Sequence, residues 1–151
     1  MQNTIFVLQG KANIGKTQTI KEIYNLLQNK YFNTETTNYI EPVAPHFDMF
    51  GTDIKTILRI NNINIGFESQ GDPNSRLDDS LKFFIEKECQ IIVCAARTRG
   101  MTNDWIKEYS NKFKIEWIQK NISDNKNNEE KENQEQAQEI ANTISILISN
   151  V

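Results

Sequence analysis

The sequence predicts an α/β domain built on a mostly parallel sheet of about five strands. Three observations carry this. Apolar runs rich in β-branched residues recur at residues 4–8, 90–96 and 114–120, as buried parallel strands require. Segments between them place apolar residues three and four apart, which is one face of a helix. A glycine-bearing turn at residues 10–17 joins the first such run to the first such helix. Parallel neighbours need crossover connections, and helical crossovers cover both faces of a sheet.

The elements follow in order. Residues 4–8 form the first strand. The helix after the glycine turn carries Ile20, Ile23, Tyr24, Leu27 and Tyr31 on one face. Residues 32–50 are polar and aromatic, and Pro42 and Pro45 argue against a regular element there. Residues 53–60 and 63–67 alternate around Asn61-Asn62, the pattern of a β-hairpin. Residues 66–73 break the alternation as a loop. A helix from about Asn74 presents Leu77, Leu81, Phe84 and Ile85. After the strand at 90–96, Arg97-Thr98-Arg99-Gly100 leads to a helix bearing Trp105, Ile106, Tyr109 and Phe113, with Thr102, Asn103 or Asp104 as its cap. A last strand spans 114–120. Residues 123–136 read as a polar loop running into a final helix with Ala137, Ile140, Ala141, Ile144, Leu147 and Ile148.

The 151 residues are enough for one domain, residues 1–151, with a real core. The chain shows no apolar run of spanning length and no leader pattern, so a cytoplasmic protein without a membrane role is expected. Its formal charge of −3 argues against a non-specific nucleic-acid binder. Cys89 and Cys94 lie in or beside an apolar strand without a histidine cluster, and are expected to be reduced core residues.

Residues 10–17 read Gly10-Lys11-Ala12-Asn13-Ile14-Gly15-Lys16-Thr17, which matches the phosphate-binding pattern G-x-x-x-x-G-K-[ST]. Each residue type has a task. The glycines let backbone approach phosphate oxygens, and the loop N–H groups with the helix N-terminus form an anion nest. Lys16 supplies positive charge for the β- and γ-phosphates, and is expected to be exposed while the loop is empty. Thr17 offers a hydroxyl to Mg²⁺. The segment resembles the Walker A loop of the P-loop NTPase superfamily. That resemblance implies a three-layer α/β/α P-loop fold and binding of a Mg²⁺-nucleotide, ATP or GTP.

Phosphoryl transfer needs more than a cradle. An acid for Mg²⁺ or its waters is usual at a strand end. Glu68 fits that role, Asp72 is the rival, and Asp53, at the start of its strand, fits less well. Glu68-Ser69-Gln70-Gly71 also resembles the Asp-x-x-Gly loop of GTPases, with Glu in place of Asp, and Gly71 then stands where the glycine N–H meets the γ-phosphate. Asn121-Ile122-Ser123-Asp124 is similar to the guanine-reading Asn-Lys-x-Asp, but Ile122 replaces the lysine. Arg97 and Arg99 leave a strand at the ligand end of the predicted sheet. Their placement looks like the lid of small nucleoside, nucleotide and gluconate-type kinases, closing over the transferring phosphoryl group. Arg76 is a candidate for an acceptor phosphate. His46 sits in the proline-bearing segment beside Phe47, Met49 and Phe50, a cluster that reads as loop packing.

The function expected from these residues is a Mg²⁺-dependent kinase moving the γ-phosphate of a nucleotide, ATP by preference, to a small-molecule acceptor. Lys16, Arg97 and Arg99 would act on the transferring group, and Thr17 and Glu68 on the metal. The alternatives are a GTPase-like switch or NTPase acting on a protein partner, and a binding module without turnover.

Overall fold

The computed structural model describes residues 1–11, 15–32, 39–42, 53–120 and 126–150. The chain is α/β. Its strands are β1 (Thr4–Gln9), β2 (Tyr39–Pro42), β3 (Lys55–Ile60), β4 (Ile63–Glu68), β5 (Ile91–Ala96) and β6 (Lys114–Gln119). The helices are α1 (Lys16–Phe32), α2 (Leu77–Glu86), α3 (Met101–Lys107) and α4 (Lys126–Ser149). One mixed sheet has the order β2-β3-β4-β5-β1-β6. The β4, β5, β1 and β6 strands run parallel, while β3 is antiparallel to both β2 and β4.

Alternation along the strands sorts the core into two faces, as a period of two demands. Phe6 and Leu8 of β1, Ile65 and Phe67 of β4, and Val93 and Ala95 of β5 pack with α1 and α4. Ile5 and Val7, with Ile92, Cys94 and Ala96, pack with α2 and α3 on the other face. Tyr24 of α1 meets Phe67 edge-on, with ring centroids 5.5 Å apart. Cys89 and Cys94 are free and buried, and burial pushes the Cys94 thiol up.

The hairpin expected around Asn61-Asn62 is present. Both residues have positive φ, 52° and 68°, as a two-residue type I′ turn requires. Four expectations need correction. A strand, β2, forms inside the stretch expected to be irregular; it lies at the edge of the sheet with Pro42 as its last residue, a position where a missing N–H is tolerated. The α4 helix starts at Lys126, not after the polar stretch, because Glu, Lys and Gln are good helix formers even without an apolar stripe. The α3 helix ends at Lys107, and Tyr109 and Phe113 belong to the turns that follow it. Its N-cap is Gly100, with φ 99°, and no side chain caps it; the Thr102 hydroxyl instead accepts the Arg97 backbone N–H at 3.1 Å. Among the described residues no helix is long and apolar enough to cross a membrane.

Candidate functional site

The carboxyl ends of β1, β4 and β5 lie side by side, so the chain leaving each of them meets at one edge of the sheet. A cleft of about 770 Å³ opens there. Gly15, Lys16, Thr17 and Gln18 line it from the start of α1. Residues 69–75 line it after β4, Arg97 after β5, and Glu129 from α4. Asp53 joins them from the opposite direction in sequence. Because β3 is antiparallel to β4, the start of β3 lies beside the end of β4, with Lys55 opposite Glu68.

Lys16 forms the floor. Its Nζ donates to the Gly10 carbonyl at 2.5 Å and to the Ala96 carbonyl at 3.2 Å. It is buried, 7% exposed, not exposed as expected for an empty loop. Burial pulls its pKa down to about 8; the Asp72 carboxylate opposes that and the Arg97 guanidinium adds to it. The Gly10 N–H donates to the same Ala96 carbonyl at 3.1 Å. Gly15 has φ +91°, a conformation glycine adopts without strain, and a Cβ there would come within 2.8 Å of the Asn133 side chain. Lys11 is exposed at the entry to the loop. Ala12, Asn13 and Ile14 lie outside the described residues, as do His46 and the Asn121–Asp124 stretch.

The strand before the loop is tied on both sides by amides. Gln9 Nε2 donates to Asn103 Oδ1 at 3.3 Å, and Gln119 Nε2 donates to Gln9 Oε1 at 2.6 Å. Gln136 Nε2 of α4 donates to the Gln119 carbonyl at 2.8 Å. The loop thus springs from a strand end fixed to α3, β6 and α4.

Besides Glu129 of α4, three carboxylates at or beside the strand ends stand near the cleft and have different surroundings. Glu68 has no exposure at all. Arg76 Nε and Nη2 donate to its two oxygens at 2.6 and 3.1 Å, and Ser80 Oγ and the Gln70 N–H donate as well. Alternation explains this: Phe67 faces α1, so Glu68 faces α2, where Arg76 and Ser80 lie. The residue expected to serve a metal is therefore held on the other face of the sheet and does not line the cleft. Asp72 lines it, and accepts from Arg97 Nε at 2.9 Å. Asp53 lines it too, and its Oδ1 accepts from Thr17 Oγ1 at 3.2 Å and from Ser69 Oγ at 2.8 Å.

The remaining expected residues separate. Gly71 is buried in the cleft wall, where a Cβ would stand 2.4 Å from the Ala95 carbonyl. Only glycine lets the loop after β4 lie this close to β5. Arg97 reaches the cleft; Arg99 is exposed and does not line it. Arg76, read as an acceptor-phosphate ligand, is spent on Glu68.

Asp53 and Ser69 are the residues that sequence reasoning ranked low or passed over. The signal was in the hairpin: once residues 53–60 and 63–67 are antiparallel, the start of one must adjoin the end of the other. Glu129 was missed for a different reason, since it belongs to the polar stretch read as a loop. Comparison of the chain with protein-family models, with curated proteins and with solved structures finds no match.

Proposed function

We propose that this protein binds a Mg²⁺-nucleotide, ATP by preference, in the cleft lined by Gly15, Lys16 and Thr17, and transfers its γ-phosphate to a small acceptor in the cytoplasm. The reading rests on the superfamily resemblance of that loop, with the three-layer P-loop architecture it implies. The observation that carries it is Lys16, whose ammonium is seated on two carbonyls at the floor of a cleft formed at strand ends. A buried cation with no carboxylate in hydrogen-bond reach among the described residues is suited to an anion that arrives from solution. Arg97 stands across the same cleft, its guanidinium paired with the exposed Asp72, a partner it can exchange as charge develops on a phosphoryl group. Catalysis of this kind is positioning and electrostatics.

A second reading, a nucleotide-dependent switch acting on a protein, is favoured by one feature. Both ends of the β3–β4 hairpin, Asp53 and Ser69, open into the cleft, so a ligand there acts directly on one side of the sheet.

Thermal unfolding with saturating Mg-ATP and Mg-GTP tests the binding. At about a hundred times the dissociation constant a ligand adds roughly 2.7 kcal/mol, and for a chain of this size each kcal/mol is worth roughly 2–4 °C. A rise of several degrees with at least one nucleotide is expected, and no rise with either, or with the diphosphates, refutes the reading. Turnover against a panel of nucleosides, nucleotides and sugars separates kinase from switch.

A further inference from the structure

We propose that Asp53 and Thr17 together form the divalent-cation site of the cleft, with Ser69 as the residue that positions Asp53. This deepens the reading above and rests on it.

Glu129 of α4 also lines the cleft, but the Thr17 hydroxyl hydrogen-bonds to Asp53; the choice among the three carboxylates at or beside the strand ends follows from what already neutralises each. A hard divalent cation takes oxygen ligands and favours net negative charge. Glu68 is sealed from solvent and its charge is balanced by Arg76. Asp72 is paired with Arg97. Asp53 receives only two neutral hydroxyls, and no cation pairs with it among the described residues. Both hydrogen bonds end on Oδ1, and Oδ2 has no partner among the described residues.

The distances suit a small cation. Neighbouring ligands of an octahedral Mg²⁺ with bonds of 2.0–2.1 Å are about 2.9 Å apart. Thr17 Oγ1 and Asp53 Oδ1 are 3.2 Å apart, so little movement brings both onto one ion. The hydrogen bond between them need not break. A hydroxyl that donates its proton to a carboxylate keeps its lone pairs for a metal. Asp53 can serve the ion directly or hold its waters.

Ser69 fixes the carboxylate. Its Oγ accepts the Ile54 N–H at 2.8 Å and donates to Asp53 Oδ1 at 2.8 Å, while its own N–H donates to the Ile54 carbonyl at 3.1 Å. The aspartate is thereby tied to the end of β4, and is not carried on a free loop.

The test is calorimetric titration of ATP and GTP into wild type, Asp53→Asn, Ser69→Ala and Glu68→Gln, with Mg²⁺ and with EDTA. Electron paramagnetic resonance of Mn²⁺ counts bound metal in parallel samples free of EDTA and Mg²⁺, and thermal melts check that each variant is folded. Asp53→Asn should lose the gain from Mg²⁺, read as the ratio of its affinities with Mg²⁺ and with EDTA, and bind Mn²⁺ at least about tenfold more weakly than wild type. Ser69→Ala should lose part of both. Glu68→Gln should keep the Mg²⁺ gain. If Asp53→Asn keeps the full Mg²⁺ gain and Mn²⁺ affinity, the site is overturned while nucleotide binding stands. If wild type binds no nucleotide in either condition, the underlying reading falls, and the site with it.

Discussion

Arg76 grips Glu68 at both carboxylate oxygens, 2.6 Å through Nε and 3.1 Å through Nη2, beneath the face of the sheet covered by α2. This pair is structural. Glu68 is fully buried and the Arg76 side chain is 18% exposed, so breaking the pair strands a charge that has little access to water. Losing one partner of a buried pair costs about 3–5 kcal/mol, and the partial exposure of Arg76 puts Glu68→Gln at the low end. A drop in melting midpoint of roughly 6–12 °C is expected. A variant that melts like wild type contradicts the structural role.

Lys16 should make nucleotide binding depend on pH. In the free protein burial holds its pKa at about 8. Bound phosphate would favour the charged form and raise that value. Binding therefore takes up a proton above pH 8, and affinity falls as pH rises from about 8 towards the ordinary lysine value of 10.5. Without ligand the sign for folding is the reverse. The unfolded chain binds the extra proton, so this residue's contribution to stability rises across the same interval. Titrations at pH 9 in buffers of different ionisation enthalpy measure the uptake. Lys16→Ala should abolish it and weaken binding by about 2–5 kcal/mol; an unchanged proton count in that variant excludes Lys16 as the group.

Gly71→Ala is expected to destabilise the fold. The new methyl would meet the Ala95 carbonyl at 2.4 Å, and backbone cannot turn aside as a flexible side chain can. Overpacking of this kind typically costs about 1–3 kcal/mol. The displaced loop carries Asp72, so the Asp72–Arg97 pair should loosen too. A melt and a nucleotide titration on the same sample read both effects, and wild-type values in both refute the close packing.

Arg97 and Arg99 should behave differently, although both leave the same strand. Arg97 lines the cleft; Arg99 is exposed outside it. If the protein transfers phosphoryl groups, Arg97→Ala should lower turnover by about 10³–10⁵ with little change in nucleotide affinity. Lysine should restore little of it, because the planar fork is lost. Arg99→Ala should stay close to wild type. Equal losses in the two alanine variants would place Arg99 in the reaction as well.

How legible the molecule was depends on which physical signal each part carries. The β1 strand, the α1 stripe and the hairpin announce themselves through burial period and turn chemistry, and all three are present. The β2 strand does not, because an edge strand ending in proline has neither a continuous apolar run nor a full set of ladder N–H groups. The first turns of α4 are helical by propensity alone and carry no apolar stripe. At the cleft, Lys16, Thr17 and Arg97 were readable from motif and strand-end position. That Asp53 and not Glu68 lines the cleft was not. Being at a strand end sets height along the sheet, whereas the face is set by odd-or-even position, and Glu68 has the parity of Gly66, which lies on the α2 side.

The Asn61-Asn62 turn lies at the far edge of the sheet from the cleft, yet it acts as a gauge block for it. Six residues of β3 separate that turn from the Asp53 end, a length of about 20 Å. A slip of one residue in the β3–β4 pairing would carry Asp53 about 3.3 Å along the strand direction, as far as the 3.2 Å that now separates it from Thr17. It would also exchange the core and outer faces of β3. Two asparagines about 20 Å from the cleft thus hold the tolerance to which the opposite end of the molecule is built.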